Sequence, residues 1–215
     1  MQYTTVFFAL KTIGQLGEGD AVLLTAATGG VGFAAIEVAK ELRATVLATT
    51  RSEAKADELR AAGADHVLVT GGDDLAEQVR RALGDDSPDV KLAFDPIGGA
   101  MLPPIIESLA PGGQCLIYGI LDPDDPTVPL MSVLKKGLTI KAYMVFEFTG
   151  LPKFGLSQRT DEVAEARDWL LPRLADGRLK PRISETFPLA EVAAAHAALE
   201  SNQQTGKIVL TVDHA

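Results

Sequence analysis

A chain of 215 residues is long enough for one good-sized domain, or one domain with a small appendage. Hydrophobic residues make up 47% and charged ones 23%, the mix of an ordinary soluble globular protein. The formal net charge of −9 argues against nucleic acid or an anionic membrane as a partner.

The apolar stretch Val6-Phe7-Phe8-Ala9-Leu10 lacks a basic leader and is too short to span a bilayer. It reads as a buried helix ending near Gly14 or Gly17. Residues 21–25 form a continuous apolar run bounded by Gly19-Asp20 and a glycine cluster, as a strand covered on both faces should be. A helix is predicted over 30–42, a strand over 45–49, and a helix over 52–62 that Ser52 caps and Gly63 stops. Strand 66–69, helix 74–83, strand 90–94 and helix 100–109 continue the alternation. Pro111-Gly112-Gly113 turns the chain into a strand at 114–118, and a short helix at 130–136 leads into a strand at 138–143. Six strands linked by helices imply a doubly wound parallel sheet, a Rossmann fold, because parallel neighbours need crossover connections.

After Tyr143 the rhythm breaks. A loop at 150–155, an amphipathic helix over 161–174, a strand at 183–187, a helix at 189–199 and a strand at 207–212 read as a small C-terminal appendage. The division expected is 1–150 for the dinucleotide-binding domain and 151–215 for the appendage. The single cysteine, Cys115, lies in an apolar run and reads as a buried thiol, which suits a reducing cytoplasm. His66, His196 and His214 are far apart, without carboxylate or thiol neighbours at ligand spacing, so no protein-built metal site is expected.

Chemistry concentrates in Ala27-Thr28-Gly29-Gly30-Val31-Gly32, which follows the first strand and opens a helix. A turn whose N–H groups must meet pyrophosphate oxygens cannot carry bulky side chains, and the helix N-terminus adds donors and partial positive charge. Gly32 would let the helix sit close on the sheet. The first glycine of the G-x-G-x-x-G fingerprint is Ala27 here, and a merely tight strand-to-helix turn is the alternative. The second strand ends at Thr49-Thr50-Arg51-Ser52, where an NAD site usually carries an acid about 20 residues past the turn. Here Arg51 stands between the hydroxyls of Thr50 and Ser52, with Lys55 a turn later. That cationic, donor-rich setting suits the 2′-phosphate of NADP(H), because guanidinium binds phosphate through paired hydrogen bonds. The alternative is that Arg51 and Lys55 are solvated surface charges. Ligands of such sheets sit outside the carboxyl ends of the strands, which adds Asp95 with Gly98-Gly99 after the fourth strand, and Tyr118 and Gly119 after the fifth. For each of these, a cofactor contact and a plain turn or core role both stand.

Taken in order, Ala26 to Gly32, Thr49 to Ser52, Ala61-Ala62-Gly63-Ala64-Asp65, Phe94-Asp95-Pro96-Ile97-Gly98-Gly99 and Leu109-Ala110-Pro111-Gly112-Gly113 resemble the medium-chain dehydrogenase/reductase superfamily, on its quinone-oxidoreductase-like, zinc-type alcohol dehydrogenase side. The ending Phe187-Pro188-Leu189 to Gly206-Lys207-Ile208-Val209-Leu210 extends the resemblance over nearly the whole chain. It implies hydride transfer from NADPH to a carbonyl, quinone or activated alkene, in a cleft between this domain and a GroES-like domain. The chain looks like a member lacking that N-terminal domain, where the family's zinc ligands would largely lie. By resemblance, Thr5, Tyr118 and Met144-Val145-Phe146 are expected near the nicotinamide. No proton donor stands out. The Tyr-x-x-x-Lys pair of short-chain dehydrogenases is absent, since Glu147 lies four places past Tyr143 and Phe7 four past Tyr3.

The resemblance also implies that strands 183–187 and 207–212 pair with the absent domain. They are therefore expected to leave open edges that favour a homodimer, or a partner chain supplying that domain. Two further readings stand beside the reductase: a cofactor-binding or scaffolding protein of the same ancestry without catalysis, and a Rossmann-type methyltransferase. The methyltransferase wants an acid after the second strand, and Arg51 argues against it.

Overall fold

The computed structural model describes residues 1–71, 74–84, 89–201 and 203–212; His214 lies outside them. Helix α1 (Gln2–Phe7) runs directly into a π-helical segment, Phe8–Ile13. Val6, Phe7, Phe8, Ala9 and Leu10 are all fully buried, so this segment is apolar on every side rather than along one stripe. Its rings key it into the body. Phe8 stacks on Phe148 with centroids 4.1 Å apart, and Phe7 meets Trp169 at 5.5 Å.

The remaining elements follow in chain order: β1 (Ala21–Leu24), α2 (Gly30–Glu41), β2 (Thr45–Thr50), α3 (Ala56–Ala61), β3 (His66–Val69), α4 (Leu75–Leu83) and β4 (Val90–Asp95). Then come α5 (Leu102–Ser108), β5 (Leu109–Ile117), α6 (Leu130–Lys136), β6 (Thr139–Ala142), α7 (Phe146–Thr149), α8 (Thr160–Ala175), β7 (Ile183–Pro188), α9 (Val192–Glu200) and β8 (Lys207–Thr211). The first six strands make one parallel sheet in the order β3-β2-β1-β4-β5-β6. This is the doubly wound Rossmann order, with the switch point between β1 and β4. All four residues of β1 are buried, as a central strand covered by helices on both faces requires.

Two apolar clusters fill the two faces. One joins α1, α2, α7 and α8 to the sheet through Phe7, Phe33, Ile36, Phe94, Tyr143 and Leu170. The other packs α4 and α5 through Leu75, Val79, Ile105 and Ile106 against Leu23, Leu47 and Cys115. The motif around Gly63 resolves into a clasp: the Asp65 carboxylate accepts the Val46 N–H at 2.7 Å and the Lys40 ammonium at 2.8 Å, tying β2, α2 and the start of β3 together.

Two local expectations change. Ser52 makes no side-chain cap; its own N–H donates to Thr50 Oγ1 at 3.1 Å, and the helix opens with a 3-10 turn at Glu53–Lys55 before α3. The β5 ladder starts at Leu109, which pairs with Val90, and resumes at Gln114 opposite Leu92, so Pro111-Gly112-Gly113 bulges out within the strand. The two tail strands pair with each other in parallel, and the outer edge of each pairs with nothing among the described residues. Helix α8 packs on the sheet-bearing body, with Ala166 and Leu170 buried in its first cluster. Arg173 stacks over Trp169 and bonds Glu41 of α2 at 2.9 Å.

Candidate functional site

A cleft of about 550 Å³ opens outside the carboxyl ends of β1, β2 and β4. Its floor is the turn after β1. Ala26 adopts a left-handed φ of 46°, and the Ala27 N–H donates to Thr49 O at 3.1 Å, which bends the chain sharply. Gly29 is the N-cap of α2 and offers no side chain to cap it. The first rung of the helix ladder is Phe33 N–H to Gly29 O at 3.0 Å, so the N–H groups of Gly30, Val31 and Gly32 precede that ladder. They form the donor end of a 12-residue helix.

Gly32 makes this geometry possible. A Cβ on Gly32 would lie 2.3 Å from Ala27 O, so no other residue lets α2 begin this close to the turn. A Cβ on Gly30 would lie 2.1 Å from Gln2 Nε2, so the side chain of α1 occupies the space beside the turn.

The cleft brings together Thr28, Gly29, Thr50, Arg51, Ser52 and Lys55. Arg51 is exposed and makes no hydrogen bond or ion pair among the described residues. Lys55 donates to Gln204 O at 3.2 Å. No acid occupies residues 49–52; the carboxylate lining the cleft is Asp122, which accepts the N–H groups of Ala100 at 3.0 Å and Asp124 at 3.2 Å.

The other expected residues lie elsewhere. Asp95 is fully buried: its carboxylate accepts the Thr25 hydroxyl, the Gly98 N–H at 2.8 Å and the Ile97 N–H at 3.2 Å. Burial pushes its pKa up, against the pull of those three donors. It anchors the loop after β4 and does not line the cleft. Tyr118 stacks on Phe94 with centroids 3.9 Å apart, and burial raises its phenol pKa. Gly119 packs on Pro96, where a Cβ would be 3.0 Å from the carbonyl oxygen. Thr5, Val145 and Phe146 do not line the cleft either. Tyr143 donates its hydroxyl to Thr5 O at 2.8 Å, which ties the end of β6 to α1, while Val145 is buried and Met144 exposed. Among the described residues no group of three or more His, Cys, Asp or Glu side chains could hold a metal ion. No helix among them is long and apolar enough to cross a membrane.

A third set of lining residues escaped the sequence reading. Gln203, Gln204 and Gly206 form a strap across the turn. The Gly206 N–H donates to Thr28 O at 3.1 Å, and Gly206 pairs with Gly29 as an isolated parallel bridge. Thr205 bonds Glu58 of α3 at 2.8 Å, which fixes the strap beside Lys55.

This architecture recurs among known proteins. A 2-haloacrylate reductase of Burkholderia sp is 32% identical over 206 residues, covering 96% of this chain and 60% of the relative. A crystal structure of 2-haloacrylate reductase superposes with a TM-score of 0.85 at 30% identity, over all of this chain and 64% of the other. A mycobacterial protein solved in complex with NADPH gives a TM-score of 0.84 at 25% identity, over 99% of this chain and 62% of the other. The chain thus spans less than two thirds of each of these relatives. The family model for zinc-binding dehydrogenases matches residues 30–158, from the first glycine of α2 past the end of the six-stranded sheet. The chain belongs to the zinc-binding dehydrogenase family, within the medium-chain dehydrogenase/reductase superfamily.

Proposed function

We propose that the chain is the cofactor-binding part of an NADP(H)-dependent oxidoreductase that reduces a carbonyl, quinone or activated alkene. The observation that carries this is the pairing, in one cleft, of an uncapped glycine turn with an unpaired arginine at the end of the next strand. The first suits a pyrophosphate and the second a 2′-phosphate. The cradle fits the group: Gly29 opens α2 without a side-chain cap, and Gly29 and Arg51 line the same cleft. The N–H groups of Gly30, Val31 and Gly32 would hold the pyrophosphate, with Thr28 and Gly29 shaping the turn. Arg51, Ser52 and Lys55, beside Thr50, would hold the 2′-phosphate. On the α1 side, Thr5, Tyr118, Gly119 and Phe146 would shape the nicotinamide end, with Asp95 fixing the loop that Tyr118 and Gly119 abut. The bound cofactor supplies the hydride.

The relatives support the chemistry: one reduces 2-haloacrylate, an activated alkene, and another is solved with NADPH. Residues 1–150 serve as the dinucleotide domain and 151–215 as the segment that meets the catalytic domain. Because the relatives are longer, the second wall of the substrate cleft comes from a further domain, in the same polypeptide or a partner chain.

Titration of the purified chain with NADPH and NADH tests the cofactor assignment, followed by NADPH oxidation with a panel of quinones and enals. NADPH binding at least about tenfold tighter than NADH supports it, the difference expected for one charge-assisted phosphate contact. Equal affinity for both sinks the 2′-phosphate reading. Binding without turnover on any acceptor points to a cofactor-holding protein, or to half of a two-part site.

A further inference from the structure

Two buried side-chain atoms among the described residues lack a hydrogen-bond partner: Gln2 Nε2 and Gln204 Oε1. Buried polar atoms are almost always paired, so such orphans need an explanation. Both flank the same turn. Gln204 lines the cleft, and Gln2 reaches over Gly30 from α1.

The Gln2 amide is the more telling of the two. Its Nε2 is a donor, and it sits at the N-terminal end of α2, where the backbone groups of Gly30, Val31 and Gly32 are also donors. Donors cannot satisfy one another. A group that satisfies all of them at once carries several acceptor oxygens and negative charge, as a diphosphate does.

We propose that the Gln2 side-chain amide is a further cofactor-positioning group, donating to the pyrophosphate of the bound dinucleotide and completing the cradle begun by the α2 N–H groups. This rests on the cofactor reading above. The strap meets the turn from the opposite end of the chain, so the diphosphate lies where α1, the glycine turn and Gly206 converge.

The test compares the full chain with Gln2→Met, which keeps length but removes the amide, and Gln2→Glu, which puts a negative charge there. Equilibrium binding is measured with NADPH and with adenosine 2′-phosphate, which carries the 2′-phosphate but no pyrophosphate. Gln2→Met weakens NADPH about tenfold, the loss of one hydrogen bond to a charged group, and Gln2→Glu weakens it further. Adenosine 2′-phosphate binds all three proteins alike. The ligand-free melting temperature of Gln2→Met equals or exceeds that of the parent, since an unpaired buried donor is removed. Unchanged NADPH affinity in both variants overturns the proposal. So does an equal loss for both ligands, or a ligand-free Gln2→Met that melts lower, because either marks Gln2 as structural. Failure of the parent chain to bind NADPH refutes the cofactor reading itself, and this proposal with it.

Discussion

Gly32→Ala is the sharpest probe of the turn. The added Cβ would start 2.3 Å from Ala27 O and 2.5 Å from Ala27 C, both backbone atoms that no side-chain rotation can move. Reaching ordinary van der Waals contact takes a shift of about 1 Å between the first turn of α2 and the end of β1. Overpacking of this kind costs about 1–3 kcal/mol. For a chain of this length that lowers Tm by about 2–12 °C. The same displacement moves the N–H groups of Gly30, Val31 and Gly32, which must meet one ligand together. NADPH affinity should therefore fall by more than about tenfold, as when a charge-assisted hydrogen bond is lost. Differential scanning calorimetry and a fluorescence titration of NADPH read the two effects, with circular dichroism confirming that helix content is kept. A variant with parental Tm and parental affinity would refute the described contact between the helix start and the turn.

Arg51→Ala should weaken NADPH about tenfold while changing NADH less than about twofold, because only NADPH carries the 2′-phosphate; the gap should shrink in high salt, as Arg51 is exposed. Burial pushes the Cys115 thiol from 9.0 up to about 12, so the folded chain keeps that proton while the unfolded chain loses it above pH 9. Stability must then fall as pH rises through that window. Urea unfolding should show the parent losing about 1 kcal/mol more than Cys115→Ala between pH 8 and pH 10, and parallel curves would disprove the linkage. The outer edge of β6 pairs with nothing among the described residues, and Leu130 and Leu134 of the neighbouring α6 are 72% and 77% exposed. Self-association at micromolar concentration is expected from that face. Leu134→Glu should shift sedimentation toward monomer without altering NADPH affinity, and a parent that is already monomeric removes the idea.

The alternation of strands and helices was legible because buried parallel strands are short apolar runs: β1 is continuously apolar, and β2 carries Val46-Leu47-Ala48 at its centre. The glycine turn was legible for a related reason: steric exclusion leaves its mark in the residue type itself. The start of α3 was not, because Thr50 and Ser52 both offer a hydroxyl and the sequence does not say which one claims the backbone. Asp95 stands where a strand-end carboxylate could face the cleft. Only packing shows that it turns inward to Thr25 and the loop amides. The strap at Gln203–Gly206 carries no periodic signal at all. Its position follows from contacts with residues more than a hundred places earlier, Thr28, Lys55 and Glu58.

Those distant contacts separate two roles within the proposed phosphate pocket. Lys55 is already held, its ammonium on Gln204 O at 3.2 Å, whereas Arg51 is not. The bond to the strap restrains the Lys55 side chain before a phosphate arrives. A restrained cation loses less entropy when its ligand arrives, and so contributes more to affinity than a free one of equal charge. Arg51 must be ordered by the phosphate itself, but its planar fork then reads two oxygens at once. On this reasoning Lys55 preorganises the pocket through the C-terminal strap, and Arg51 reads the arriving phosphate. Loosening the strap by Thr205→Val, which removes its bond to Glu58, should then weaken NADPH more than NADH and narrow the preference, because the proposed Lys55 contact is to the 2′-phosphate alone. A variant that binds both dinucleotides as the parent does would show that the strap merely covers the turn.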